Sequence, residues 1–468
     1  MSKGIQTELL PATADQLPSS SMRPSSPPVW IQSRWLNNAF LRDYGMIFVL
    51  LLLGLVFSVL TLKQQYPISP EAGREVANSI VEEHGSGARV IVVGRATLED
   101  ERFVEAIAER LQSNDAKVLA TINGTPADVR KAIELALANE GTIDVIATNN
   151  VTRKWPVYDR FPTVGSSKCV SPDSYTWPDF LKSSNLIGVA NKAAIYAILA
   201  IGMTMVIITR GIDLSVGSLV ALSSVVGALV MADYGAGRDK IEFVLLACVA
   251  GIGVSGLAGA YHGLLVTAFR VPAFVVTLGM MLMARGLSRW LSDGQSISNL
   301  PNTFLELGGG KMFGVPNPVL VMVFLYGVSH VVMSRTVFGR YVYAIGGNEE
   351  AARLSGVPVR WVLVIVYTIC GALAGLGGLL LASQLGAGDP KFGVMYELEV
   401  IAAVVVGGTS LMGGQGKIFG TLIGALIIAV ITNGMNLVGV DPDSQLIVLG
   451  GVLTGAVLFD AVKRRRIG

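Results

Sequence analysis

From Leu186 to Val462 the chain is a succession of apolar runs, each about as long as a bilayer is thick, separated by short polar stretches. In hydrocarbon every backbone N–H and C=O must find its partner within the segment, so such runs are read as α-helices. Nine are read there: Leu186 to Ile208, Ser215 to Met231, Ile241 to Ala268, Pro272 to Leu291, Pro316 to Met333, Val362 to Ala382, Tyr396 to Met412, Ile418 to Leu437 and Gln445 to Val462. An earlier run, Tyr44 to Leu62, makes ten. Only 15% of the 468 residues are charged and 51% are apolar, too few charges for a soluble protein of that size. The expected fold class is an all-α polytopic membrane protein.

An even number of spans puts both ends on one side. The positive charges say which: Arg23, Arg34, Arg42, Arg210, Arg270, Arg335, Arg353, Arg360 and the basic tail 463–468 share that side, against Arg238, Lys240, Lys311 and Lys391 opposite. Both termini are therefore expected in the cytoplasm. Residues 1–43, rich in Pro, Ser and Thr, are expected to be a disordered cytoplasmic tail, and the first apolar run starts too late for a cleavable signal peptide. The net charge of +2 gives no case for nucleic-acid binding. Cys169, Cys248 and Cys370 lie far apart with no CxxC spacing, so neither a metal site nor a disulfide framework is expected.

Between the first span and the rest, residues 63–174 are polar and carry a different pattern. Val90 to Val93, Val118 to Ile122 and Ile143 to Ala147 are short β-branched runs, and between them Val104, Ile107, Ala108 and Leu111, then Val129, Ala132, Ile133 and Ala136, repeat at helical spacing. This predicts a small parallel α/β insert on the outer side, with a leading helix over Pro70 to His84. No glycine-rich turn follows Val90 to Val93, so no nucleotide site is expected in it.

The longest cytoplasmic connection, Ser334 to Trp361, holds Arg335, Arg340, Glu349, Glu350, Arg353 and Arg360. Asn348 can cap a short helix whose first turn carries Glu349 and Glu350, and Gly356 with Pro358 ends it. By itself the segment reads equally as a charged loop.

Small residues recur at every fourth place at Gly251, Ser255, Gly259 and Gly263, and again at Gly371 and Gly375, the pattern that lets membrane helices approach closely. Gly251, Gly253 and Gly256 also match GxGxxG, but inside a span with no preceding strand, and Gly413 to Lys417 resembles a P-loop fragment without its first glycine or its Ser/Thr. No ATPase site is expected in the chain. Gly211-x-x-Leu214-x-x-Gly217 recurs as Gly408-x-x-Leu411-x-x-Gly414, which fits either an internal duplication or chance.

Three longer stretches, TRGIDLSVGSLVAL (209–222), GRYVYAIGGNEEAARLSGVPV (339–359) and YELEVIAAVVVGGTSLMGGQGKIFGTLIGALI (396–427), resemble the membrane-spanning permease subunit of ribose-type ABC sugar importers. The resemblance covers roughly Trp177 to the end and the first span, with a permease core over 175–462, and implies a permease that pairs with itself or a homologue. It also implies cytoplasmic ATPase subunits that use ATP and Mg, and a periplasmic sugar-binding protein. No cofactor is expected on this chain, which would be a translocation subunit in a bacterial inner membrane. Residues 346–356 match the family's coupling helix: Gly347, Asn348, Glu350, Ala351, Ala352, Arg353, Leu354, Ser355 and Gly356. The insert departs from the family's usual short loop; it is expected to dock the binding protein or act as a lid, or to be a passive insertion.

Glu397 and Glu399 would begin a span at its external end, where they either cap free N–H groups or face the translocation path. With Asp213 they are the candidates for the path or outer gate. Two other classes compete with this reading. An ion-coupled secondary transporter would need intramembrane carboxylates, where His262, His330, Arg285 and Arg289 are the mid-span candidates. A membrane-anchored sensor would need one or two spans.

Overall fold

A computed structural model describes residues 39–162, 164–165, 168–235 and 240–465. The expected disordered tail, up to residue 38, and the last three residues of the basic C-terminal tail lie outside them.

The first helix, α1 (Ala39–Leu60), leads into a polar module built on a β-branched run. Its elements are β1 (Leu62–Gln65), α2 (Pro70–His84), β2 (Arg89–Gly94), α3 (Leu98–Ser113), β3 (Lys117–Asn123), α4 (Pro126–Glu140), β4 (Val145–Thr148), β5 (Cys169–Val170) and β6 (Tyr175–Pro178). Val90, Ile91, Val92 and Val93 are all fully buried, as expected of a parallel strand covered on both faces. The sheet order is β3-β2-β4-β5, every pairing parallel. On one face Val76 and Ile80 of α2 and Phe103 and Ile107 of α3 pack on Val90 and Val92. On the other, Val129 and Ile133 of α4 and Tyr158 pack on Ile91 and Val93. Sequence reading expects three strands here; β5 is a fourth, two residues long and too short to show a pattern. The antiparallel ribbon of β1 and β6, Leu62 opposite Pro178, joins the module to the bundle, where Phe180 stacks against Phe57 at 6.1 Å.

The bundle follows: α5 (Ser183–Ile208), α6 (Val216–Gly235), α7 (Ile241–Phe269), α8 (Ala273–Leu291), α9 (Asn302–Gly309), the small hairpin β7 (Lys311–Met312) and β8 (Val315–Pro316), α10 (Asn317–Arg335), α11 (Val337–Gly347), α12 (Glu349–Leu354), α13 (Val359–Leu385), α14 (Tyr396–Val406), α15 (Ile418–Val438) and α16 (Pro442–Arg465). Among the described residues six helices, α5, α7, α8, α10, α13 and α15, are long and apolar enough to cross a membrane. Three shorter apolar helices lie over Gly45–Leu60, Val216–Ala232 and Pro442–Leu458. The central element is α5, buried over 89% of its apolar window, whereas α8 is buried over 17% of its own and faces outward.

One expected span is corrected. Tyr396 to Met412 is not a continuous helix: α14 stops at Val406, and at 1.5 Å per residue its 11 residues cover about 16 Å, half a bilayer. Gly407 and Gly408 (φ +89°) break it there, because α15 comes too close for side chains: a Cβ on Gly407 would lie 2.5 Å from the Gly420 carbonyl oxygen. A Cβ on Gly424 would fall on the carbonyl of Ala403.

The α7–α13 contact uses the small-residue stripe. A Cβ on Gly259 would fall on the Tyr367 carbonyl, one on Gly263 would lie 2.6 Å from Val364 Cα, and one on Gly371 would fall on the Ser255 carbonyl. Gly375 would come within 2.9 Å of Ile252 Cα and Gly251 within 3.1 Å of Leu379. Backbones meeting this closely gain dispersion and polar contact that longer side chains would prevent. Ser223 adds a bond across the bundle, its hydroxyl donating to the Gly375 carbonyl (2.5 Å).

Candidate functional site

The exposed helix α12 forms where its sequence dictates. Asn348 Oδ1 accepts from the Ala351 N–H (3.0 Å), Glu349 and Glu350 occupy the first turn, and Arg353 Nη2 donates to Glu350 Oε1 (2.5 Å). Gly356 (φ +83°) turns the chain out of the helix and Pro358 precedes α13. Ala352 alone is buried beneath it, while Leu354 is 79% exposed at its tip. Of the candidates Gly347, Asn348, Glu350, Ala351, Ala352, Arg353, Leu354, Ser355 and Gly356, seven lie in or cap this helix and two flank it.

Two clefts adjoin α12. One of about 690 Å³ is lined by Arg210, Arg270, Glu350, Arg353, Arg360 and Tyr367; another of about 510 Å³ runs from Arg210 and Gly347 to Leu411 and Gln415. Arg210, which sequence reading used only for charge counting, borders both. The turns that carry the repeated Gly-x-x-Leu-x-x-Gly pattern meet here: the Gly414 N–H donates to the Ile208 carbonyl (2.9 Å).

Glu397 and Glu399 stand in the first turn of α14, at the start of a helix as expected. From Gly388 to Gly393 the chain folds back along α6. A Cβ on Gly388 would fall on the Ser224 carbonyl, and a Cβ on Gly217, in the first turn of α6, would fall on Gly393 O and Glu397 Oε2. The α6 first turn adjoins the 209–215 turn, and Glu397 is half-buried against it. Arg285 from α8 holds this fold, donating to the carbonyls of Pro390 (2.8 Å) and Phe392 (2.6 Å), with Glu397 as its electrostatic neighbour. Glu399 faces Tyr196 at the middle of α5; Tyr196 meets Tyr396 edge-on at 5.0 Å, and Lys192 Nζ lies 5.5 Å from the Tyr196 ring. Glu397 Oε2 and Glu399 Oε2 are buried without hydrogen-bond partners among the described residues, and Met395, the N-cap position of α14, makes no side-chain cap bond. The arrangement places unsatisfied acceptors and two cations among aromatic rings inside the bundle. Such groups can hold hydroxyl-rich molecules by hydrogen bonds and ring faces.

Asp213 lies elsewhere, wholly buried on the turn between α5 and α6. Its Oδ1 accepts from the N–H (2.9 Å) and hydroxyl (2.6 Å) of Ser215, and its Oδ2 faces His262. It does not join the Glu397–Glu399 cluster. A single buried carboxylate beside one histidine is not the set of intramembrane carboxylates that an ion-coupled transporter would need. The pairing spans α6 and part of α7, and the signal available in sequence was the polar Asp213 and His262 within otherwise apolar surroundings.

In the insert, Asp100 is fully buried. Arg95 Nε and Nη2 donate to its two oxygens (both 3.0 Å), Arg95 N–H to Oδ2 (2.8 Å) and Asn149 Nδ2 to Oδ2 (2.6 Å). Burial pushes its carboxyl up, but these donors outweigh it and hold it below the usual carboxylate range. The cluster fills the ends of β2 and β4, where an open parallel sheet would otherwise present a crevice.

A family model described as branched-chain amino acid transport system / permease component matches residues 185–457. The ribose import permease protein RbsC of Escherichia coli (strain K12) is 42% identical over 292 residues, 61% of this chain and 88% of that protein. The corresponding protein of Bacillus subtilis (strain 168) is 44% identical over 288 residues, 61% of this chain and 87% of its own. The L-arabinose ABC transporter permease protein AraH of Azospirillum brasilense is 37% identical over 293 residues, 63% and 84% of the two chains. No solved structure matches the chain.

Proposed function

Because the chain belongs to the branched-chain amino acid transport system / permease component family, matched over residues 185–457, we propose that it is the membrane permease of an ABC importer for a monosaccharide or related polyol. The observation that carries the sugar class is the 42% identity to a ribose import permease over nearly the whole of that protein. The arabinose relative and the D-allose transport system permease protein AlsC of Escherichia coli (strain K12), 35% identical over 281 residues, support the same substrate class.

In this reading α12 is the surface on which a cytoplasmic ATPase pushes. Its exposed Leu354 and its Glu350 and Arg353 side chains offer a small apolar tip with charges of both signs. ATP and Mg belong to that partner, and this chain binds no cofactor. Ten segments cross the inner membrane, with α14 as a half-length member, two permease copies assemble, and both termini face the cytoplasm. The insert then lies in the periplasm, where a sugar-binding protein docks on it; its compact single sheet lacks the second lobe needed to enclose a sugar. Glu397, Glu399, Tyr196 and Tyr396 line the sugar's path.

Reconstitution of the chain with its ATPase and binding protein in liposomes tests this. ATP-dependent uptake of a labelled pentose or hexose is expected, and the double variant Gly356→Trp with Arg353→Glu should abolish it while the protein still inserts. Uptake that runs on an ion gradient without ATP would replace the reading with a secondary transporter.

A further inference from the structure

We propose that Arg210 clamps the turn 208–211, the end of α11 and the loop 408–417 into one rigid block at the root of α12. A push on α12 then moves the inner ends of α5, α6, α14 and α15 together. This rests on the importer reading for its direction of work, though not for the existence of the block.

The first observation is strain. Arg210 has φ +66°, in the left-handed region that is strained for a residue with a Cβ, and such a conformation persists only where the surroundings impose it. What imposes it is visible. Arg210 Nε donates to the Gly346 carbonyl (2.8 Å) and Nη2 to the Gly347 carbonyl (2.6 Å). These are the free carbonyls at the C-terminal end of α11, where a cation is also favoured by the helix dipole. The planar fork of a guanidinium reaches both at once; an ammonium would not.

The second observation is backbone interlock. Gly414 N–H donates to the Ile208 carbonyl (2.9 Å), and the Tyr343 hydroxyl donates to the Gly416 carbonyl (2.9 Å). A Cβ on Gly346 would fall on the Ile208 carbonyl oxygen and lie 2.6 Å from Gly414 N; one on Gly413 would fall on Arg210 Cγ. One on Gly414 would lie 3.0 Å from Gly347 N. Three segments far apart in sequence thus touch main chain to main chain, with no flexible side chain to absorb relative motion.

The third is asymmetry around α12. On its entry side only the Gly347–Asn348 peptide separates the helix from this block. On its exit side Gly356 has open space where its Cβ would be, and the Val357 N–H returns to the Ala352 carbonyl (3.0 Å) before Pro358 and α13. Displacement of α12 is carried to the block through its entry side. The block bears the breaks between α5 and α6 and between α14 and α15, and α14 runs from the block to Glu397 and Glu399 in its first turn.

Arg210→Gly is the decisive variant, since it relieves the φ strain while removing the fork. Its thermal midpoint is expected to equal or exceed that of the parent. Hydrogen exchange on the full-length protein in detergent should then rise together at the Gly414 amide, at the α11–α12 junction and over 208–211, with the insert strands unchanged. In liposomes with the ATPase and binding protein, sugar moved per ATP hydrolysed should fall about five-fold or more, the low end of a typical coupling energy, with Arg210→Lys intermediate. Exchange that rises only at 208–211, an unchanged transport-to-hydrolysis ratio, or equal losses of midpoint, hydrolysis and uptake would each overturn the clamp. If the parent protein moves no sugar with ATP, the importer reading fails, and the exchange experiment still decides whether the block exists.

Discussion

Asp213 Oδ2 and His262 Nδ1 face each other at 3.9 Å in the bundle, both side chains wholly buried, and neither that oxygen nor either ring nitrogen has a hydrogen-bond partner among the described residues. Tyr367 packs edge-on to the imidazole at 6.3 Å. A buried ionisable pair is costly to break from one side and cheap to replace from both. The single replacements Asp213→Leu and His262→Leu are thus each expected to lower the thermal midpoint of the purified protein. The double replacement should cost less than their sum, by about 0.5–3 kcal/mol, as for groups in contact. Additive losses would mean that the two side chains do not interact.

The glycine stripe gives a prediction with two signs. Gly259 sits against the Tyr367 backbone, whereas Gly253, on the same helix, has nothing within reach of a Cβ. Gly253→Ala is expected to stabilise by up to about 1 kcal/mol through helix propensity. Gly259→Ala must push α7 from α13 and should destabilise by roughly 1–3 kcal/mol, the usual cost of overpacking. Chemical unfolding in mixed micelles reads both, and equal effects at the two positions would exclude close packing as the role of Gly259.

Much of this was legible in the sequence, for identifiable reasons. Bilayer thickness makes span length a strong signal, and Asn348 followed by two carboxylates announces α12 because free N–H groups need acceptors. The four-residue recurrence of Gly251 to Gly263 follows from helix geometry. What was lost lay in averages and in distance. Val404 to Met412 carries no charge, so averaged hydropathy runs across the break at Gly407; the paired glycines followed by Thr409 and Ser410 are the local sign. The fold-back that carries Glu397 inward is set by Arg285, over a hundred positions earlier, and no local pattern reports it. Strand β5 and the β1–β6 ribbon were missed because two to four residues cannot establish a period.

Glu397 and Glu399 now have a sharper test. Both stand in the first turn of α14, and one oxygen of each carboxylate has no hydrogen-bond partner among the described residues, so capping and a place on the path make different predictions for them. Glu399→Gln and Glu397→Gln keep size and hydrogen-bonding capacity but remove the charge facing Lys192 and Arg285. Each is expected to lower sugar uptake several-fold at unchanged membrane expression. Normal uptake by both variants would take these residues off the translocation path.

The insert carries its own pH dependence. Asp100 is wholly buried, and the donors from Arg95 and Asn149 outweigh the effect of burial, so its folded carboxyl titrates below its ordinary value of 3.8. At Asp144 the side-chain bond from Arg89 acts in the same direction. A carboxylate with a depressed pKa in the folded state contributes stability that is complete above the unfolded value and lost as pH falls through the folded one. Protection of β2 and β4 amides, corrected for the intrinsic pH dependence of exchange, should be flat from neutral pH down to about 5 and fall below about 4. The Asp100→Asn variant is expected to lose about 1.5–3 kcal/mol at neutral pH, the worth of hydrogen bonds to a charged group, and to show a smaller acid transition. Protection at pH 3 equal to that at pH 7, or an Asn variant with the parent's acid transition, would mean that the Arg95–Asp100–Asn149 cluster does not hold the sheet ends together. Loss confined to the α/β module, with α5 and α13 unaffected, would locate the acid-labile unit in the insert and leave the bundle, whose stability comes from apolar and glycine packing, outside it.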